Sequence, residues 1–349
     1  MRTLTDDAIR RARRLCLFSH WDAEGQVDDY VLRYLREIRN AGFTIVFVTT
    51  AALSPDAFRR VEPLCKAVVQ RENEGLDFGG WIECLRRWPD LTADLLLLCN
   101  DSVYGPFWNL ADFISDLTSK PADFYGAVLS LDGGPHLQSW FVLLRPAAYR
   151  SAGFRSLVGE PVPAKLSKIQ IIERYERGLS RRLFAEGLRG RAAFDPREIG
   201  PISARHPLDP AMTLWRELLD HRLVPFIKIR LLRDRPIPMP GARSWRRLAA
   251  RLDPEAAEMA TRNLARRTRA TRRIPALGLR KAVGWPALPL AQQPFARRAL
   301  AREMRLRPSA EAPNRIFETL GACFDLLRVP YALLYKGIGA RRRGNKAGD

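Results

Sequence analysis

Asp94-Leu95-Leu96-Leu97-Leu98-Cys99-Asn100-Asp101-Ser102-Val103-Tyr104-Gly105-Pro106 is the stretch on which the reading of the fold turns. Four leucines and a cysteine without alternation describe a strand covered on both faces, and Asn100-Asp101-Ser102 followed by Gly105-Pro106 closes it in a turn. The carboxylate of Asp101 then stands at the strand's carboxyl end. Open α/β sheets bind ligands at that edge, where an acid can hold a divalent metal or the pyrophosphate complex of a nucleotide sugar. An aspartate after a strand can equally be a turn residue that caps the next helix.

Toward the N-terminus the pattern is of strands alternating with helices. Arg14 to Ser19 reads as a first strand, followed by the polar turn His20-Trp21-Asp22-Ala23-Glu24-Gly25. Val27, Val31, Leu35 and Ile38 recur at helical spacing up to Gly42. Phe43 to Thr50 is a second strand, Leu53 to Cys65 a helix opened by Ser54-Pro55-Asp56, Ala67 to Arg71 a third strand and Asp77 to Trp88 a further helix. This βαβαβαβ order predicts a mainly parallel sheet with helices on both faces.

Arg71-Glu72-Asn73-Glu74-Gly75-Leu76-Asp77-Phe78-Gly79-Gly80-Trp81 joins the third strand to its helix. Glycines let backbone N–H groups approach an anion, and a helix start offers unpaired donors to a phosphate. Arg71 can clamp a phosphate; Asp77 can bond a ribose or base, or serve as the helix N-cap. No Gly-Lys-Ser/Thr ending is present, so this is not a Walker loop. Further on, Asp123 to Val128 is a strand, Gly133-Gly134 a turn, and Trp140 to Leu144 a strand introduced by His136, Gln138 and Ser139. These polar groups can hydrogen-bond sugar hydroxyls, and His136 can shuttle a proton near neutral pH, or it can be a loop histidine with a structural hydrogen bond. Ile169 to Leu188 is an amphipathic helix with Glu173 and Glu176 on one face. Lys228, within the apolar run Pro225 to Leu232, can neutralise a phosphate or snorkel to water.

The formal charge of the 349 residues is +20, unevenly placed: 34 basic against 30 acidic residues through Met239, and 24 against 8 from Pro240 onward. Pro236-Ile237-Pro238-Met239-Pro240 marks a linker, giving expected domains of 1–235 and 236–349. The second is arginine-rich and mostly helical by pattern, with Trp245-Arg246-Arg247-Leu248, Arg262 to Arg273, an apolar helix from Ile316 to Tyr335 and Arg341-Arg342-Arg343. Leucines and aromatics interleaved with arginines suit an anionic membrane surface; nucleic acid is the competing partner, but no nucleic-acid module is recognisable. Cys16, Cys65, Cys84, Cys99 and Cys323 form no CxxC pair and read as reduced core residues, not zinc ligands. No apolar run reaches membrane-spanning length and no signal peptide is apparent, so the expected location is cytoplasmic, peripheral to the inner membrane.

Arg-Glu-Asn-x-Gly-x-Asp-Phe-Gly at 71–79, Asn-Asp-Ser-Val-Tyr-Gly-Pro at 100–106 and His-Leu-Gln-Ser-Trp-Phe at 136–141 together resemble the rhamnan synthesis protein F family. The resemblance spans roughly residues 14–240. It implies a glycosyltransferase with a GT-A-like, Rossmann-like nucleotide-sugar fold, a nucleoside diphosphate sugar donor such as dTDP-rhamnose, and a saccharide acceptor that is lipid-linked. By this resemblance Arg71, Asn73, Gly75, Asp77, Asn100, Asp101 and Ser102 fall to the donor. Asp101 is the candidate ligand for Mg2+ or Mn2+, with Asn100-Asp101-Ser102 standing where GT-A enzymes carry Asp-x-Asp: one acid in place of two. His136 and Glu176 are the acceptor-side or catalytic-base candidates, Glu176 favoured by the resemblance of Tyr175-Glu176-Arg177-Gly178-Leu179-Ser180. The alternative is a non-catalytic protein that binds polysaccharide or a membrane assembly through a transferase-like fold.

Overall fold

A computed structural model of the chain describes residues 4–163, 166–199, 209–233 and 242–272. The chain divides into two compact units, Met1–Asp195 with Asp209–Pro275, and Pro196–Leu208 with Ala276–Asp349. Of the second, the described part is the single 3-10 turn Pro196–Ile199.

The first unit is built on an eight-stranded sheet. Its N-terminal half follows the expected alternation: α1 (Leu4–Arg10), β1 (Arg14–His20), α2 (Asp29–Asn40), β2 (Thr44–Thr49), α3 (Pro55–Val61), β3 (Ala67–Gln70), α4 (Leu76–Arg87) and β4 (Leu95–Asn100). Strands β3, β2, β1 and β4 lie side by side and parallel. Every residue of β4 is buried, as the unbroken leucine run requires of a strand covered on both faces, each leucine contributing about 2 kcal/mol. Val31, Leu35 and Ile38 are fully buried, so the helical spacing marks the face of α2 that covers the sheet; Val27, also buried, stands just ahead of the helix's N-cap Asp28.

The sequel is β5 (Val103–Tyr104), α5 (Leu110–Thr118), β6 (Phe124–Ser130), β7 (His136–Leu137), β8 (Phe141–Leu144), α6 (Pro146–Tyr149), α7 (Ala152–Gly159), α8 (Lys168–Ile171), α9 (Gly178–Ala185) and β9 (Gly190–Phe194). Strand β8 inserts antiparallel between β4 and β6, so β6 runs in the direction of β4, with β7 antiparallel and β9 parallel to it. The α/β class with a mostly parallel sheet and flanking helices is therefore as expected, and the antiparallel members all enter after β4.

Two features position the site. From β1 the chain steps outward to β2 and β3, then returns through α4 to β4 on the other side of β1. The strand order thus reverses between β1 and β4, and such a reversal opens a crevice outside the carboxyl ends of those strands. Because Phe141 is the register partner of Cys99, Ser139 and Trp140 enter β8 at the same edge where Asn100 and Asp101 leave β4.

The helices Trp245–Leu252 and Pro254–Arg272, which the expected boundary at 235/236 assigns to the basic region, belong to the first unit. Their apolar residues Trp245, Leu248, Ala249, Ala256, Ala257 and Ala260 are buried, and Tyr104 stacks on Trp245. The linker prolines 236–240 and the rest of the basic region, with the expected helix 316–335, lie outside the described residues. Among the described residues no helix is long and apolar enough to cross a membrane.

Candidate active site

Three carboxylates meet where the strand order reverses. Asp101 follows β4 directly and is buried. Its backbone N–H donates to Ser19 at 3.2 Å, its carbonyl accepts from the Tyr30 hydroxyl at 2.9 Å, and its carboxylate is bonded by the Trp21 N–H. The helix after β5 is capped by Asn109, so Asp101 caps nothing. Burial pushes its carboxyl up to about 6, with the Arg267 guanidinium pulling the other way.

Asp77 lies in the first turn of α4, whose N-cap is Gly75, so the N-cap alternative for Asp77 does not apply. Its carboxylate accepts from the Asn100 amide at 2.9 Å and from the Ser19 hydroxyl. Burial raises it to about 6 despite the Ser19 bond, with the Asp101 charge adding to the rise and the Asn100 bond opposing it. Asn100 in turn accepts from the Ser102 N–H at 3.2 Å, so one amide ties the 71–79 and 100–106 stretches together. Asp22 opens the turn after β1; its carboxylate is buried and accepts from the backbone N–H of Glu24 and Gln26. Trp21, next to it, is 47% exposed at the rim.

The remainder of the 71–79 stretch is engaged in shaping its own turn. Arg71 donates to Glu83 at 2.6 Å and to the Glu74 carbonyl at 3.0 Å, and Asn73 is exposed. Gly75 sits at φ +74, and a side chain there would come within 2.4 Å of Val162; a Cβ on Gly79 would meet the Glu74 carbonyl at 1.8 Å. The glycines therefore allow the turn to fold against α4 and deliver Asp77.

Farther along the same edge is a second group. His136 is buried, its Nδ1 2.8 Å from the Gly134 carbonyl and its Nε2 3.7 Å from Glu176. A carbonyl only accepts, so Nδ1 carries a proton and Nε2 is the nitrogen turned toward Glu176. The other oxygen of Glu176 accepts from the Ser139 backbone N–H at 2.8 Å and from its hydroxyl. Glu176 occupies a π-helical turn, Ile172–Arg177, set between α8 and α9 in what the pattern read as one regular helix. Such a turn carries an extra residue and re-aims the side chains it contains. Glu173, on the same expected face, pairs instead with Arg177 and Arg181 on the surface.

Gln138 and Trp140 complete this group. The Gln138 amide donates to Asp209 at 2.7 Å and accepts from the Trp140 indole at 2.8 Å; Lys228 donates to the other oxygen of Asp209 at 2.7 Å. Burial alone would raise Asp209, but Lys228 and Gln138 hold its carboxyl below the usual range. Lys228 is on a two-residue strand, Ile227–Lys228, paired with β5, so this chain of bonds links the 136–141 stretch back to 100–106. Lys228 is thus an ion-pair partner that braces the edge.

The helix Pro254–Arg272 closes the cluster around Asp22. Asn263 accepts from the Tyr104 hydroxyl at 2.7 Å and donates to Asp28 at 2.6 Å. Arg266 lies 2.5 Å from both Asp22 and Asp28 and 2.8 Å from Glu24. Arg267 stands between Asp101 at 3.5 Å and Asp22 at 3.8 Å. Among the described residues no group of three or more His, Cys, Asp or Glu side chains is arranged to hold a metal ion, and between the two nearest acids lies a guanidinium. A divalent ion at Asp101 would have this carboxylate as its protein ligand and would take its remaining ligands from water and the phosphate oxygens of a donor.

Ser19, Asp22, Arg266 and Arg267 are absent from the sequence-derived site. The first two were within reach: the turn 20–25 is polar and follows a strand, and a parallel β1 beside β4 brings its end to Asp101. The arginines were not, since no local pattern distinguishes them among the many in the C-terminal third.

The sequence model described as "Rhamnan synthesis protein F" matches residues 45–253. No curated protein matches the chain. Among solved structures, the glycosyltransferase GlyE of Streptococcus pneumoniae TIGR4 is similar with 11% identity and a TM-score of 0.38, over 74% of this chain and 64% of that one, so the chain spans less than two thirds of its length.

Proposed function

We propose that this chain, which belongs to the rhamnan synthesis protein F family, is a glycosyltransferase that moves rhamnose or a similar deoxyhexose from a nucleoside diphosphate to a hydroxyl of a growing, lipid-linked surface polysaccharide. The observation that carries this reading is the Asn100-Asp101-Ser102 turn at the reversal of strand order, joined to Asp77 through Asn100 and to the end of β1 through Trp21. Buried carboxylates in that crevice are placed to accept hydrogen bonds from the hydroxyls of a ribose and a sugar, as acids do at the strand ends of other nucleotide-binding sheets. Asp77, Asn100, Asp101 and Ser102 take the donor; Arg71, Asn73 and Gly75 form the turn that presents Asp77.

In the transfer, the bond between the anomeric carbon and the diphosphate oxygen breaks, the diphosphate leaves with the electron pair, and the acceptor oxygen bonds to that carbon. The acceptor's proton must go to a base. His136 and Glu176 supply one: with Nδ1 bonded to the Gly134 carbonyl, Nε2 is the nitrogen that would take the proton, and the carboxylate 3.7 Å away would balance the charge of the imidazolium that forms. The excess of basic over acidic residues from Pro240 onward supports an anionic membrane surface as the place where the acceptor is met.

The test is calorimetric titration of the full chain with dTDP, UDP and GDP, repeated with Asp101→Ala, followed by transfer from the corresponding sugar nucleotide. Binding of one nucleotide that Asp101→Ala abolishes in a folded protein is the expected result. A folded wild-type protein that binds none of the three overturns the reading in favour of a non-catalytic binding protein.

A further inference from the structure

We infer that Arg177 is a positioning residue: it holds the loop between β6 and β7 so that the Gly134 carbonyl of that loop fixes the imidazole of His136. The inference rests on the reading of His136 and Glu176 as the proton acceptor. Arg177 closes the π-helical turn that carries Glu176, and these consecutive side chains address the two ends of one short segment. Glu176 bonds the Ser139 backbone and faces His136 Nε2. Arg177 takes the other end: its Nη2 lies 3.0 Å from Asp132, and its Nη1 donates to Glu173 at 2.7 Å. The loop also rests on the guanidinium itself. A Cβ built on Gly133 would come within 2.3 Å of Arg177 Cζ and Nη1 and 2.7 Å of Nε, so the guanidinium fills the space that a side chain there would need.

Exposed ion pairs contribute little by themselves, and the side chains of Asp132 and Glu173 are half exposed or more. The arginine between them is not: its side chain is 19% exposed, with Nε buried. A planar group held by an acid at each end of its fork is a fixed surface, which the single ammonium of a lysine does not supply. Gly133 and Gly134, at φ +72 and +107, turn the chain over that surface, and the Gly134 N–H closes the turn on the Leu131 carbonyl at 3.1 Å. The Gly134 carbonyl is thereby aimed at His136 Nδ1, 2.8 Å away. In a neutral imidazole the single proton stays where it has an acceptor, which leaves Nε2 as the nitrogen that would take the proton of the sugar acceptor. Without Arg177 the carbonyl loses its fixed place, and the ring can carry its proton on Nε2 instead, toward Glu176.

The experiment records nitrogen–proton correlation spectra of the full chain, isotopically labelled in its four histidines, at alkaline pH, with the His136 signals identified by their loss in His136→Gln. Transfer kinetics and nucleotide calorimetry are run beside it. Arg181→Met is the control, because Arg181 also pairs with Glu173 at 2.7 Å but is 63% exposed. Wild type and Arg181→Met are expected to hold the His136 proton on Nδ1. Arg177→Met should shift His136 toward the Nε2-protonated tautomer and lower kcat about tenfold, with nucleotide affinity unchanged; Arg177→Lys, which keeps the charge but not the fork, should recover part of both. Should Arg177→Met fail to fold, Asp132→Ala, which releases the exposed end of the loop, is expected to shift the tautomer in the same direction. Nδ1 protonation that persists in the folded variants, or a fall in kcat with unchanged spectra, overturns the inference. So does a wild type whose His136 proton sits on Nε2. A wild type that binds no nucleotide and transfers no sugar overturns the proposed function instead, and the spectra still decide whether Arg177 fixes the ring.

Discussion

The two ends of the sheet edge are built on opposite principles. At the β1–β4 end, Asp22, Asp77 and Asp101 crowd together with burial pushing the latter two carboxyls up to about 6. At the β6–β8 end every acid is matched: Asp209 by Lys228 and Gln138, Glu176 by Ser139 and, at longer range, His136. A region that keeps buried carboxylates above their usual range holds an unfavourable charge that an incoming ligand can relieve. A region of satisfied pairs holds geometry. The contrast supports the proposal of binding at the first end and positioning of a proton acceptor at the second.

The sharpest way to break this division is to remove one group from each end and compare what is lost. Asp101→Ala should lower transfer about a thousandfold together with nucleotide affinity, an effect of the size seen when a key polar group in an active site is removed. Equal transfer by this variant would remove the binding end from the proposal.

The same residue also tests the charge itself. A folded value of about 6 against the ordinary 3.8 means that the folded state holds the proton more tightly than the unfolded chain, so this carboxyl's contribution to stability falls as pH rises from about 4 to about 6. Asp101→Asn carries no such charge. It should therefore unfold at higher denaturant than wild type above pH 7, by a ceiling on the order of 3 kcal/mol, with the advantage gone below about pH 4. An advantage that does not change with pH would show that the burial argument is mistaken. His20, whose ring burial lowers to about 4 from 6.5, runs the other way: its contribution is present above 6.5 and is lost as pH falls toward 4.

At the other end, Glu176→Gln should reduce kcat about a hundredfold and leave nucleotide affinity unchanged, because the proton acceptor loses its charge partner while the donor crevice is untouched. Reduced affinity with unchanged kcat would merge the two ends into one. The smallest effect is expected at the turn that presents Asp77. Gly75→Ala forces a Cβ against Val162 at φ +74 and should cost about 1–2 kcal/mol in chemical denaturation, with a proportionate rise in KM for the donor.

Much of this was readable from local pattern. The leucine run of β4 announced a strand buried on both faces, and the spacing of Val27, Val31, Leu35 and Ile38 announced the face of α2, because a strand and a helix each write their burial directly into residue order. The three motifs were legible as motifs. Their mutual contacts were not: the Asn100–Asp77 bond, the π-turn that carries Glu176 and the Lys228–Asp209–Gln138 chain all join residues distant in sequence. The glycines of 75–80 were ambiguous in a specific way, since glycine is demanded equally by a phosphate and by a close neighbour, and only the structure shows that Gly79 packs against the Glu74 carbonyl and Gly75 against Val162.

By itself the sequence determined the order of strands and helices, the placement of Asp101 at a strand's carboxyl end and the concentration of positive charge in the last third. Those properties depend on period and composition, which any window of the chain contains. Only the tertiary structure decided that Asp22 joins Asp77 and Asp101, and that two arginines among the basic residues after Pro240 face them. That choice depends on which helix face packs where, and packing is settled by the apolar residues Trp245, Leu248, Ala256 and Ala260, not by the charges they bring into place.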